Sequence, residues 1–551
     1  MNVEALRKKT FSAWWILLPL TVFLIHACWL GRYWIIDDAG ISFAYARNLA
    51  DGWGLVSQPT VAPVEGFSNP LWVFLLAPFF LIHAFDLFWT PKILSAFLVI
   101  ASFIVTLRCL AKYDYRRGGW VAVIGLTLVS FQPAFVIWCV SGLENPLTVF
   151  LISMLLALCI NFTPDKHSIR QAGLIGVLSA ALALNRPDGI LYAGIFPLCL
   201  LIYSKQKRSG VFYQLVVFLG TCLLPLLVYL AFRFQYFGAG FPNTYYAKGG
   251  VSAGKIWGIL TLHPEVIIKL EELFGAAGGV PLGGWLLLLT GSLSAIVFLK
   301  YRNNRVLVVS GLGTLISMGI YLLLPYDWMP EFRFATPFFL CFYLFISSGY
   351  CALVNNPSSP NGWRVICHIV AVLFCVGVLS TSVTRAFYFK YHMPIPISEV
   401  LDTSQRFERY SQQLQIQNPS ILIADVGGFL YRNGIRVYDL GMLCDRTIAA
   451  TLGEGIRHSD VARFHDYVFD EIKPTFIATR AYHSWIADLE SDPRFRECYT
   501  PIFEYKDKWI FNRYEAVRFS GDFIRKEAIL GKKHVFEQIK KDATSVPYAG
   551  L

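Results

Sequence analysis

The sequence predicts a polytopic α-helical membrane protein that continues into an α/β domain, on three observations. Hydrophobic residues fill 55% of the 551 positions and charged residues only 15%, too apolar a balance for a soluble chain of this size. Apolar runs near membrane length recur through residues 1–384. From residue 385 those runs stop, and residues 385–551 are mixed in composition and numerous enough for a core of their own.

The apolar runs lie at about 13–33, 70–88, 91–110, 119–139, 147–161, 171–186, 190–204, 211–232, 281–299, 306–324, 337–354 and 364–383. The first follows the basic residues Arg7, Lys8 and Lys9, is too long for a signal-peptide core and has no small-residue cleavage site after it, so it is expected to stay as an anchor. If all twelve runs crossed, the cluster Arg108, Lys112, Arg116 and Arg117 would face outward while the N-terminus faced inward, against the positive-inside rule. Laying 70–88, with its Pro70, Pro78, His83 and Asp86, along the outer interface removes the conflict and leaves about eleven spans. The N-terminus is then inside, and residues 385–551 are outside. Those residues carry 23 basic against 22 acidic side chains. Nearly all of the formal +11 therefore sits in residues 1–384, in the loops expected inside, and the basic balance concerns topology rather than nucleic acid.

In the C-terminal region SILIADVGGFLY reads as a buried strand and a tight Gly427-Gly428 turn, VYDLGML as a second strand, PTFIATR as a third and YKDKWIFNRYEAV as a hairpin, together a partly parallel sheet. Ten of the twelve cysteines fall in or beside apolar runs and read as small core hydrophobes. Cys444 and Cys498 lie in the outer domain, where one disulfide between them is chemically permitted.

Threading brings the densest polar motifs to the outer side: DDAGISFAYARNLADGWGL with PVEGFSNPLW in an outer loop over 35–90, then SGLENPL, NRPDG, FPNTYYAK and DWMPEFRFATP. Charged groups at membrane depth are costly, and their convergence on one side is a functional signal. Asp37 and Asp38 open a segment in which Ile41, Tyr45 and Leu49 recur at helical spacing opposite Arg47 and Asn48, an amphipathic helix expected to lie at the interface. One aspartate can be a helix N-cap. A pair also suits sugar transfer to a hydroxyl, where one carboxylate takes the proton and the other orients it or binds a cation. Asp37 is the slightly preferred base.

A departing lipid phosphate needs positive charge, and Arg186, Lys248 and Arg333 are the best-placed cations. Each has a structural alternative: a snorkelling turn arginine for Arg186 beside Asp188, an interfacial lysine for Lys248, an ion pair with Asp327 or Glu331 for Arg333. Glu65, Asn69, Glu144, Asp188, Asn243, Tyr245 and Tyr246 are candidates for sugar or acceptor binding; turn chemistry competes at Glu65 and Asn69, and helix capping at Glu144. No His/Cys cluster suggests a transition metal, and no cofactor is assigned; a divalent cation would sit on Asp37 or Asp38.

These motifs are familiar as a set. DDAGISFAYARNLADGWGLV with PVEGFSNPLW resembles the opening motif of the C-type glycosyltransferase (GT-C) superfamily, and most resembles the terminal arabinofuranosyltransferases of mycobacterial arabinan synthesis and their bacterial relatives. SGLEN, RPDG, FPNTYYAK, DWMPEFRF and ADVGGFLYRNGIRVYDLGMLCD are similar to that group as well. Ala39-Gly40 and Cys444 depart from its usual pattern. The resemblance implies a GT-C fold, a polyprenyl-phosphate sugar donor, a catalytic aspartate at 37 or 38, and a 70–88 segment packed at the outer surface. The expected activity is transfer of a sugar, arabinofuranose by resemblance, to a hydroxyl of a glycan or glycoprotein at the outer face of the bacterial inner membrane, among membrane lipids. A glycolipid transporter or flippase with an outer sensing domain is the alternative. It asks for mid-span charges and related halves, which the sequence lacks.

Overall fold

The computed structural model describes residues 13–113, 117–162, 168–203, 208–249, 252–278, 301, 303–355, 360–453, 460–511 and 514–545. Among them, seven helices are long and apolar enough to cross a membrane: Trp14–Gly31, Trp89–Lys112, Ser168–Asn185, Gly210–Phe237, Arg305–Leu323, Arg333–Val354 and Asn361–Tyr391. The run at 119–139, expected as one span, is a pair of helices, Gly118–Phe131 and Pro133–Val140, that meet at 75°. Pro133 supplies the cause, because it has no N–H to continue the ladder and its ring displaces the preceding turn. The Gln132 side chain fills the break by donating to the Ala276 carbonyl at 2.7 Å.

Asn145–Ile160 and Pro187–Tyr203 are shorter apolar helices. An eleven-span arrangement needs both of them, the bent pair, and the 281–299 run, which lies outside the described residues. Pro70–Leu81 has 12 residues, about 18 Å of helix against a hydrocarbon core of about 30 Å. It is too short to cross.

Gly210–Phe237 and Asn361–Tyr391 expose Leu223, Leu224, Leu227, Val228, Ile366, Ile369, Val370 and Leu373, apolar faces of the kind a lipid environment covers. The interior is closed by Trp72, Trp138, Phe135, Phe338 and Phe339. Lys92 binds helix ends together from within: its Nζ donates to the carbonyls of Gly31 at 2.5 Å, Trp34 at 2.8 Å and Val140 at 3.2 Å.

The C-terminal region forms one five-stranded sheet: β1 (Ser420–Ile423), β2 (Arg436–Asp439), β3 (Phe476–Thr479), β4 (Tyr499–Phe511) and β5 (Tyr514–Arg525), in the order β2-β1-β3-β5-β4. Strand β1 runs parallel to β2 and β3, whereas β5 is antiparallel to β3 and β4. The expected strands are present. Gly427 and Gly428 do not form the expected tight turn. They begin a helix, Gly427–Arg432, and a Cβ on Gly427 would lie 1.8 Å from the Asp37 carbonyl oxygen, so two backbones approach where no side chain fits. Cys444 and Cys498 are both free thiols. Cys444 packs against the loop that carries Gly66, its Sγ 2.6 Å from where a Gly66 Cβ would be, while Cys498 is exposed.

Candidate active site

Helix Asp37–Ala50 carries the site. It forms where expected, but it does not lie on a surface: ten of its residues are buried. Arg47, expected on a polar outer face, donates to the carbonyls of Leu430 and Tyr431, and Asn48 donates to the Val56 carbonyl at 2.8 Å. The helix is sandwiched between the short helix Pro70–Leu81 and the C-terminal domain, so both of its faces need partners. The chain enters it through a bridge to the segment before the C-terminal domain, with Asp37 N–H donating to Ile395 and Ile397 N–H to Ile35. Neither aspartate caps its own helix, since the N-cap is Ile36.

The two aspartates face different surroundings. Asp37 is 3% exposed, and both its oxygens are taken: Oδ2 accepts from Gly427 N–H at 2.9 Å and Oδ1 from Gly428 N–H at 2.7 Å. Burial, then the charges of Asp425 and Asp38, push its carboxyl well above the usual range, against the pull of the two N–H groups. The Asp38 side chain is 24% exposed and lies 3.8 Å from Arg333 Nη1. Burial raises its carboxyl, and the positive charges of Lys248 and Arg333 oppose that rise.

Arg333 Nε sits 2.7 Å from Asp327 Oδ2, yet neither atom has an aligned hydrogen bond. It is an ion pair that leaves donor capacity unspent. A strained turn delivers it, because Glu331 and Phe332 both hold positive φ, 63° and 54°. Trp138 Nε1 donating to the Glu331 carbonyl at 2.7 Å and Arg385 bonded to the Glu331 carboxylate at 3.0 Å hold that turn in place. Such φ values persist where surrounding contacts over-determine them. Arg186 and Arg333 lie over the same Phe334 ring, at 4.8 and 4.6 Å. Arg186 also binds Asp188 at 3.1 Å and Glu144 at 2.9 Å. Glu144 stands at the N-cap of the helix that follows it, but its side chain makes no capping hydrogen bond. It takes Arg186 on Oε1 and Asn69 on Oε2, and Asn69 accepts from Ser42 of the central helix. The crevice between the two arginines, lined also by Asn145, Thr148 and Tyr192, holds about 10 Å³, room for one water at most.

Other expected binding residues are committed elsewhere. Glu65 is 2% exposed and pairs with Arg233 at 2.6 Å and Tyr229 at 2.7 Å. Asn243 donates to the carbonyls of Met442, Leu443 and Asp445, tethering the short helix Asn243–Lys248 to the C-terminal domain. These two hold the loop around the site. Tyr245 and Tyr246 lie on the exposed side of that helix, where Tyr245 stacks on Phe241 at 4.5 Å. Asp425, Gly427, Gly428 and Phe334 escape a reading of the motifs one by one. For the first three the signal is an acidic residue and paired glycines directly after a buried strand, where parallel sheets place ligand loops. Among the described residues no three His, Cys, Asp or Glu side chains gather where a metal ion could bind.

No protein-family model matches the sequence, and no curated protein matches it significantly. Solved structures do match its fold. The oligosaccharyltransferase of Archaeoglobus fulgidus, tethered with an acceptor peptide, superposes with a TM-score of 0.52 at 11% identity over 93% of this chain and 74% of that one. The same organism's AglB, in complex with an inhibitory peptide and a dolichol-phosphate, gives 0.51 at 11% identity over 92% and 74%. ArnT of Cupriavidus metallidurans in the apo state gives 0.51 at 13% identity over 92% and 97%. With its apolar helices, its small C-terminal sheet and these structural neighbours, the chain is a multi-pass membrane protein with the GT-C fold.

Proposed function

We propose that this protein is a membrane glycosyltransferase that moves a sugar from a polyprenyl-phosphate donor to a hydroxyl acceptor at the outer face of the bacterial inner membrane, and that Asp38 is its base. One observation carries the reading: a partly exposed carboxylate stands 3.8 Å from an arginine that shares an aromatic ring with a second arginine. The acceptor oxygen attacks C1 as its proton passes to Asp38, the bond from C1 to the phosphate oxygen breaks, and polyprenyl phosphate leaves. A base within reach of the acceptor contributes about 10²- to 10⁴-fold. Arg333, Arg186 and Lys248 meet the charge that develops on the phosphate, which is worth most where water is excluded. The lipid tail approaches along apolar helix faces, and the phosphate enters by widening the narrow crevice at Phe334. Asp37 then serves the site by holding the C-terminal domain against it.

Arabinofuranose is the leading donor sugar, from the motif resemblance, and a glycan or glycoprotein hydroxyl is the acceptor. The fold shared with a protein solved with dolichol-phosphate supports a lipid-linked donor. A flippase needs polar groups along its transmembrane path, whereas the charges named here gather at one end of the helices. The test mixes purified protein in nanodiscs with synthetic polyprenyl-phosphoryl arabinofuranose and follows acceptor-dependent release of polyprenyl phosphate. Wild-type turnover by the Asp38→Asn variant would sink the base assignment.

A further inference from the structure

The C-terminal sheet has a topological switch point. Strand β1 lies between β2 and β3 and is parallel to both, so the chain leaves β1 for one neighbour and later returns to its other side. In such sheets ligands bind in the crevice beyond the carboxyl ends of the strands at that point. Beyond β1 come Ala424 and Asp425; beyond β3 comes Arg480. The register pairs Leu422 with Ile477, and continuing it sets Asp425 level with Arg480.

The chain just beyond β1 packs directly on the helix that carries the proposed active site. A Cβ on Gly40 would stand 2.5 Å from the Gly427 carbonyl oxygen, and the Asp37 carboxylate holds the N–H groups of Gly427 and Gly428. Asp425, two residues before that contact, is thereby carried to the turn that presents Asp38. It is half-buried and has no hydrogen bond or ion pair among the described residues. Its carboxyl is pushed up to about 6, by burial first and by the charge of Asp38 next, with Arg480 opposing. A carboxylate so placed wants a hydroxyl donor, and a second one, Asp38, is near enough for its charge to act on it.

Resting on the reading of Asp38 as base, we propose that Asp425 binds the acceptor: it accepts a hydrogen bond from one hydroxyl of a sugar while the neighbouring hydroxyl lies at Asp38. The acceptor class is then a carbohydrate with a vicinal diol rather than a peptide bearing a single hydroxyl. The C-terminal domain contributes the side chain that chooses the acceptor, and the membrane domain contributes the base.

The experiment uses the full chain in nanodiscs, synthetic polyprenyl-phosphoryl arabinofuranose, a methyl pentofuranoside, its analogue lacking the hydroxyl beside the accepting one, and a serine/threonine peptide. Losing a hydrogen bond to a charged group corresponds to about 10- to 150-fold. The Asp425→Asn variant should raise KM for the glycoside by that factor, with KM for the lipid donor within about twofold. The deoxy analogue should cost the wild type the same factor and cost the variant almost nothing, because a partner already removed cannot be lost twice. An unchanged acceptor KM in the variant, retained discrimination in the variant, or preference of the wild type for the peptide would each overturn the proposal. If the variant fails to fold, the wild type decides alone: equal use of glycoside and deoxy analogue overturns it. Failure of the wild type to consume the lipid donor with any acceptor is a different result, and it refutes the parent reading.

Discussion

Asp37 and Asp38 are adjacent in sequence and opposite in circumstance. Successive residues of a helix point about 100° apart, so one helical start presents its two carboxylates to two neighbourhoods. Asp37 meets fixed donors, the amides of Gly427 and Gly428, and is closed off from water. Asp38 meets side chains, Arg333 and Lys248, and keeps access. Fixed amides suit a carboxylate that must hold a shape, whereas side-chain cations beside an accessible oxygen suit one that must gain and lose a proton. On the proposed reading, the acidic pair divides assembly from chemistry without any difference in residue type.

The contrast can be broken by substitution, beginning with the largest effect. Asp38→Asn should lower turnover by about 10³-fold, the scale of a lost base, with an unchanged melting temperature; turnover of the lipid donor and a thermal melt together check this. Asp37→Ala leaves two buried N–H groups without an acceptor, about 2–4 kcal/mol at 1–3 kcal/mol per orphaned group with partial relief by water. It should appear as a melting temperature several degrees lower and faster proteolysis between residues 385 and 427, with turnover falling only as docking is lost. Glu65→Gln tests the structural part that its pair with Arg233 gives that residue. Weakening its pair with Arg233 should cost about 1–3 kcal/mol, read from chemical denaturation, while turnover per folded molecule stays within about twofold; a large rise in acceptor KM would return Glu65 to the binding site.

The smallest effect is a pH dependence. Asp439 is 2% exposed. Its Oδ2 accepts from Leu443 and Cys444 at 2.9 and 2.6 Å, whereas its Oδ1 has no partner. Burial raises its carboxyl to about 7. A folded-state value above the unfolded one favours the protonated form, so the stability it brings is fully present below about pH 4 and is lost as pH rises through about 7. Melting temperature should therefore fall between pH 5 and pH 8, and Asp439→Asn should flatten that slope.

Local features were legible in the sequence. Helix Asp37–Ala50 follows from its spacing, and the strands follow from their apolar runs between turn residues. The motifs also converge as expected around Asp38, Arg186 and Arg333. What escaped was pairing over long separations. Nothing near Glu65 announces Arg233, 168 residues on, nothing near Asn243 announces the carbonyls of 442–445, and nothing near Asp37 announces Gly427. Such partners are set by how elements dock, and hydropathy is silent on docking. The bend at Gln132 failed for another reason: Pro133 was visible, but a run of apolar residues averages over a kink.

The Asp37 clasp also sets a schedule for biosynthesis. Its partners lie 390 residues downstream, and a ribosome adding roughly 5–20 residues per second needs about 20–80 s to reach them. Over that interval the nascent protein already holds Asp38 but has no C-terminal domain to seat beside it. On the proposed function, competence therefore waits for the segment around Gly427 to be made, and a chain interrupted before it would hold Asp38 without the domain that Asp37 clasps.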